Sequence, residues 1–348
     1  MILYKKFSLG FLIVLLTLSV FVGTANYVID PYAKNNSFGN PLNVKKAVRD
    51  ERISKFKLLK EHPEAKSFLF GSSRGLLLDP VLFEKLTGSP ALNLAFSSGS
   101  ADEHYLYIKY LLDTRKVEHI MIGIDLFAYS EGFLSHGTLP QELRDYFSLD
   151  SDYPLTNYIS FNMLKKSIQT VKFNLKNKEE KKGKYTQKGQ ISSSGYRNVQ
   201  NNPDKLKRYL EINVINKPAR WDTRFNMLDN DRLKKLTEIN QLCIERGIQL
   251  HLFMSPLYIK QIRMKQNKFF LQKELLSNIV KNIGPVWDYN AVTQINLDPY
   301  AFDDEFHYTF RTADSIMTEV LTGKPTIKEY MGTYITAENV DTYLANID

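Results

Sequence analysis

The chain has 348 residues, enough for one large domain with an insertion or for two small ones, and a formal net charge of +8. Its single cysteine, Cys243, excludes an intramolecular disulfide framework and any multi-cysteine metal site. The positive charge is concentrated, with seven lysines against two glutamates between Lys172 and Lys188.

Residues 1–30 form the first element. Lys5 and Lys6 precede 23 residues, Phe7 to Ile29, that carry no charge. At about 1.5 Å per helical residue this stretch crosses a hydrocarbon core of roughly 30 Å, so a membrane span is expected. Lysines before it and Asp30 after it leave the tail in the cytoplasm and the rest of the chain outside, as a single-pass anchored protein. The alternative is secretion after signal cleavage, for which Gly23-Thr24-Ala25 supplies small residues, although the apolar run exceeds the usual h-region of about 7 to 15 residues. A domain outside the cytoplasm also excludes nucleic acid as a partner.

A juxtamembrane linker is expected over 31–60, followed by alternating strand and helix signals over 61–130 and 235–322. Apolar runs Ser67–Phe70, Ala91–Phe96, Ile120–Ile124, Ile248–Met254 and the weaker Val286–Tyr289 are continuous rather than alternating, which suits strands covered on both faces. Ser100-Ala101-Asp102-Glu103 fits a capping box, and Arg115 and Lys116 match the dipole at the far end of that helix. Cys243 falls with Leu233, Leu236 and Ile239 on one helical face and is read as core. That helix is stopped by Gly247, and Lys268–Asn282 by Gly284. Strands joined by helices predict an α/β fold, a doubly wound parallel sheet with right-handed crossovers.

Residues 131–234 break the alternation, being rich in tyrosine, lysine and asparagine, and read as an insertion over the ligand crevice of the sheet. Within it, the lysine-rich stretch and Ser192-Ser193-Ser194-Gly195 form either a solvated loop or a contact for anionic headgroups or an acidic polysaccharide. Residues 323–348 read as a C-terminal tail.

Two short motifs carry chemistry. Gly71-Ser72-Ser73-Arg74 follows the first strand, and Asp304-Glu305-Phe306-His307 precedes the last periodic helix. Together they supply the side-chain types of a nucleophilic triad in the order Ser, Asp, His.

Leu69-Phe70-Gly71-Ser72-Ser73-Arg74, Asn93-Leu94-Ala95-Phe96-Ser97-Ser98-Gly99, Ile122-Gly123-Ile124-Asp125 and Asp304-Glu305-Phe306-His307 resemble, in that order, the blocks of the SGNH (GDSL-like) hydrolase superfamily. The chain is most similar to its membrane-anchored bacterial branches of polysaccharide O-acetylation and teichoic acid D-alanine transfer, down to Asn26-Tyr27-Val28-Ile29-Asp30-Pro31-Tyr32 after the span. The resemblance covers the core but not the insertion, and implies a three-layer α/β/α sheet domain. It implies Ser73 as nucleophile, His307 as base, Asp304 as the residue that orients it, and the backbone N–H groups of Ser73 and Gly99 as the oxyanion hole. Both donors lie at strand-to-helix turns, where unpaired N–H groups favour an anion. The third block departs from the family, because Asp125 stands where an asparagine donor is usual, and an ionised carboxylate only accepts. Asp125 then either pairs elsewhere, with Arg74 as the available cation, or the hole is built without it.

Each residue also has a plainer reading. Ser73 suits a turn, Asp304 and His307 a cap and a surface histidine, and Arg74 either a surface ion pair or a ligand for an acidic sugar. Asp303 competes with Asp304 as orienter. His62, His104, His119, His136 and His251 show no metal-ligand spacing, no cofactor is implied, and no tyrosine, nor Trp221, is assigned to sugar stacking. Two functional classes follow. One is an extracytoplasmic serine acyltransferase or esterase acting on acyl groups, acetyl foremost, of a cell-envelope polysaccharide, with a membrane-bound acyltransferase as a possible partner. The other is an inactive, membrane-tethered component of a polysaccharide assembly or export machine.

Overall fold

The computed structural model describes residues 2–31, 51–133, 139–148, 158–175, 185–192, 195–217, 227–263, 266–291 and 293–347. The elements run α1 (Ile2–Ile29), α2 (Glu51–Glu61), β1 (Ser67–Phe70), α3 (Pro80–Thr87), β2 (Ala91–Asn93), α4 (Ala101–Thr114) and β3 (His119–Ile124). Then come α5 (Gln141–Tyr146), α6 (Phe161–Leu175), α7 (Gly195–Val199), α8 (Pro203–Leu210), α9 (Asn230–Glu245) and β4 (Gln249–Met254). The chain closes with α10 (Ile259–Arg263), α11 (Gln266–Asn282), β5 (Val286–Asp288), α12 (Gln294–Leu297), α13 (Phe310–Thr322), β6 (Thr333–Ile335) and α14 (Val340–Asn346). Two compact units result, residues 1–54 with 137–182 and residues 55–136 with 183–348.

In the first unit, α1 is apolar enough over Lys6–Ile29 to cross a membrane. Most of its apolar side chains are exposed, but Val22 and Asn26, one turn apart, are buried where α1 packs on α6. Asn26 Nδ2 donates to Tyr158 O at 2.6 Å and Ser160 O at 3.0 Å, and Ser167 Oγ donates to Asn26 Oδ1 at 2.8 Å. The side chain of Ser160 in turn accepts from Met163 N–H at 3.3 Å, which fixes the start of α6.

The second unit holds a six-stranded sheet in the order β2-β1-β3-β4-β5-β6, parallel except for β6. Leu69 and Phe70, adjacent on β1, point to opposite faces. Leu69 joins Phe83 of α3 and Ile316 of α13 in one apolar cluster, while the Phe70 ring meets His104 of α4, so helices lie on both faces. That arrangement explains the continuous apolar strands: Phe68, Leu69, Phe70, Ile120 and Met121 are all fully buried. The capping box at Ser100 and Glu103 is formed, and Leu233, Leu236, Ile239 and Cys243 are buried on α9 as the periodicity predicts.

The structure corrects several expectations. The sheet is mixed, because part of the predicted tail supplies the antiparallel edge strand β6; three residues are too few to give a periodic signal. The linker expected over 31–60 ends in α2, whose Phe56 and Leu59 are buried, whereas 32–50 lie outside the described residues. Strand β2 stops at Asn93 rather than Phe96, because Asn93 Oδ1 takes the Ala95 N–H at 3.0 Å and its Nδ2 binds Gly75 O and Leu78 O. Arg115 does not serve the end of α4; its guanidinium donates to Leu59 O and His62 O at the end of α2.

The insertion expected over 131–234 is not one subregion. Residues 137–182 cluster with α1, while 183–234 belong to the sheet unit. There Asn93 N–H donates to Lys188 O at 2.9 Å and Ile191 N–H to Leu76 O at 2.9 Å, so this stretch shields the open edge of β2. Lys55, buried, reinforces the seam by donating to Asn93 O at 2.8 Å and to Gly189 O. Leu210 and Val214 enter the apolar cluster. Most of the lysine-rich stretch, with Trp221 and His136, lies outside the described residues.

Candidate active site

The turn after β1 presents two serines to different surroundings. Gly71 holds φ +152°, in a region open to glycine, and a Cβ there would sit 3.2 Å from Gly75 Cα. Ser72 is buried and its Oγ accepts from Arg74 N–H at 3.3 Å, a turn role. Ser73 is half-buried, and its Oγ lies 2.7 Å from His307 Nε2 across 234 residues of chain.

His307 is held by its own loop. Its Nδ1 lies 2.9 Å and 2.8 Å from the two Asp304 oxygens, and Asp304 Oδ1 also accepts the N–H groups of Phe306 at 2.8 Å and His307 at 2.9 Å. Nδ1 facing a carboxylate carries the proton, which leaves Nε2 to accept from the serine hydroxyl. Burial tends to raise the Asp304 carboxyl, but the hydrogen bond from His307, its charge and the two backbone donors outweigh it and hold Asp304 below the ordinary carboxylate value. Asp303 is turned elsewhere: its Oδ1 accepts from the Tyr209 hydroxyl at 2.9 Å. Burial, then the Asp303 charge, pushes that hydroxyl far up.

Arg74 and Asp125 tie the two motifs together. Arg74 Nε donates to Phe306 O at 2.8 Å, and Nη1 pairs with Asp125 Oδ1 at the end of β3. Side-chain exposure is 10% for Arg74 and 1% for Asp125, so Arg74 is neither a surface ion-pair partner nor exposed to an acidic sugar. The pair accounts for the carboxylate in the third block: its charge is compensated by Arg74.

The expected oxyanion hole is only partly available. Among the described residues no acceptor meets the Ser73 N–H, as a free donor requires. Gly99 N–H instead donates to Phe96 O at 3.1 Å, closing its own turn, in which Ser98 takes φ +53°. Gly99 is nevertheless next to the serine turn, since a Cβ there would lie 2.6 Å from His104 Nε2 and 3.0 Å from Gly71 O.

Apart from Asp125, sequence reasoning missed a shell of buried polar atoms around the motifs. Asp125 Oδ2, Ser255 Oγ, Asn290 Oδ1 and the Tyr308 hydroxyl are buried with no hydrogen-bond partner among the described residues. Three of these residues follow the carboxyl ends of β3, β4 and β5, and Tyr308 adjoins His307. The sequence marked this edge through Asp125 and through the ends of its apolar runs; Tyr209 sits in the part read as insertion. The described residues hold no cluster of three or more metal-ligating side chains. His119 and His251 form a stacked pair, with ring centroids 5.6 Å apart, away from these motifs on the amino-terminal half of β3 and β4.

No family model matches the chain, and no curated protein matches it.

Proposed function

We propose that the chain is a membrane-anchored serine acyltransferase or esterase of the SGNH type, working outside the cytoplasm on acyl groups, acetyl foremost, of a cell-envelope polysaccharide. The observation that carries this reading is the unbroken line Ser73 Oγ, His307 Nε2, His307 Nδ1, Asp304, with steps of 2.7 and 2.8 Å. Ser73 Oγ attacks the acyl carbonyl while its proton passes to His307 Nε2. The tetrahedral oxyanion takes the Ser73 N–H, and His307 returns the proton to the departing oxygen, leaving an acyl-serine. A second hydroxyl, deprotonated by His307, resolves it. Water gives hydrolysis and a sugar hydroxyl gives transfer, for which a membrane-bound acyltransferase would be the natural donor partner.

The fold supports the same reading. The parallel order β2-β1-β3-β4-β5 supports the reading as a doubly wound, three-layer sheet, a fold whose ligands lie outside the carboxyl ends where the order reverses. Here that reversal falls between β1, which leads to Ser73, and β3, which leads to Asp125. Retention of α1 as an anchor is supported by the buried hydrogen bonds of Asn26, since cleavage at Gly23–Ala25 would part this docked end from the span. The second reading, an inactive component of an assembly or export machine, is favoured by the engaged Gly99 N–H. Loss of one oxyanion donor costs on the order of 10²- to 10³-fold in rate.

Purified protein treated with an activated acetyl ester and a serine-directed phosphonate tests both. Ser73→Ala is expected to lose the adduct and the turnover, and His307→Ala to slow labelling. Identical behaviour of wild type and Ser73→Ala would replace the enzyme by the inactive component.

A further inference from the structure

We infer that α6 is an interfacial helix, lying in the surface of the same membrane that α1 crosses; this rests on α1 being retained as an anchor. At about 100° per residue the exposed and buried positions of α6 fall into three sectors. Met163, Ser167 and Thr170 make the buried one, and Ser167 binds Asn26 of α1. A second sector runs from Val171 through Leu164, Leu175 and Ile168 to Phe161. In it Phe161, Ile168 and Leu175 are 69%, 47% and 68% exposed, which for large apolar side chains is costly in water. The third sector carries Lys172, Lys165, Gln169, Asn162 and Lys166, with Phe173 as the one apolar residue of the sequence among them.

The neighbour of α6 decides what covers the apolar sector. A helix over Lys6–Ile29 is 24 residues long, about 36 Å against a hydrocarbon core of roughly 30 Å, so its last turn emerges among the headgroups. Asn26 sits in that turn and binds Tyr158 O and Ser160 O, the residues that lead into α6. Gly23 lies one turn earlier, where a Cβ would meet Ile159 Cγ1 at 3.4 Å. The start of α6 is therefore fixed at the depth where hydrocarbon gives way to headgroups. There an apolar sector continues the lipid-facing surface of α1, and the adjoining lysines reach anionic headgroups. A charged face on α6 excludes a second span, and an exposed Phe161, Ile168 and Leu175 excludes a helix designed for water alone.

The test uses the full chain in a Cys243→Ala background, reconstituted in phosphatidylcholine vesicles containing phosphatidylglycerol. Single cysteines replace Phe161, Ile168, Leu16 on α1, or Lys234, an exposed residue of the sheet unit, and each carries an environment-sensitive fluorophore. Quenching by spin-labelled lipid is compared with quenching by aqueous iodide. Probes at Phe161 and Ile168 are expected to be quenched by the lipid and shielded several-fold from iodide relative to Lys234. If both are as open to iodide as Lys234 while Leu16 is lipid-quenched, the interfacial helix is overturned and the anchor stands. If Leu16 also escapes the lipid, the anchor fails and the inference with it.

Discussion

Removal of Arg74 is the sharpest perturbation available, because its guanidinium serves two partners in a region from which water is excluded. In Arg74→Met the Phe306 carbonyl loses a donor and the Asp125 carboxylate, 1% exposed, loses its ion-pair partner, its other oxygen having no hydrogen-bond partner among the described residues. Breaking a buried pair from one side costs about 3–5 kcal/mol, since a charge is left uncompensated. For a domain of this size, at about 2–4 °C per kcal/mol, that is a fall of roughly 6–20 °C in the unfolding midpoint. Asp125→Leu should cost a similar amount, and the double variant less than either single change, because neither charge remains. Thermal unfolding can be followed by labelling of Cys243, which is 1% exposed and has its thiol pushed by burial to about 11, so that it reacts only when the core opens. A drop below about 1 kcal/mol for Arg74→Met, or a double variant whose loss equals the sum of the singles, would refute the coupling.

Asp304→Asn is expected to slow phosphonate labelling of Ser73 by on the order of 10³- to 10⁴-fold through loss of the correct tautomer, whereas Asp303→Asn, at a side chain whose Oδ1 is turned to Tyr209, should change it less than about tenfold; rates of adduct formation separate the two. His251 is held by burial and by the neighbouring His119 at about 4, below the ordinary histidine value of about 6.5. The unfolded chain therefore binds the extra proton first, so stability falls as pH drops from about 6.5 to about 4, and His251→Gln should flatten that part of a Tm–pH profile. Deleting 185–191 should destabilise the sheet unit, as Asn93 N–H and Leu76 O lose their backbone partners; an unchanged unfolding midpoint would show the seam to be dispensable.

What the sequence disclosed follows the range of the forces involved. Continuous apolar runs placed β1, β3 and β4 within a residue or so, because strands buried on both faces leave no polar alternation to misread. The box at Ser100 and the loop Asp304–His307 were legible because each is closed by contacts spanning three residues. The choice of Asp304 over Asp303 was not legible, since adjacent carboxylates differ only in which backbone donors the loop turns towards them. Nor was the engagement of Gly99 N–H, which depends on a left-handed Ser98, a conformation not expected of serine. The division of 131–234 between the two units was invisible for a further reason: residues 185–191 stabilise the sheet through backbone carbonyls and amides, which every sequence possesses.

The two halves of the Ser73–His307–Asp304 line differ in how they come to exist. The acid and base are joined within a tetrapeptide, so their geometry is set as soon as that loop closes, on the timescale of local chain diffusion. The serine reaches them across 234 residues, and its 2.7 Å contact requires β1 and the region after β5 to have been brought to one edge by the intervening strands. During refolding, the imidazole would thus find its carboxylate long before it finds its hydroxyl, and reactivity towards a serine-directed phosphonate would be the last native property to return, trailing the recovery of helix and strand signals.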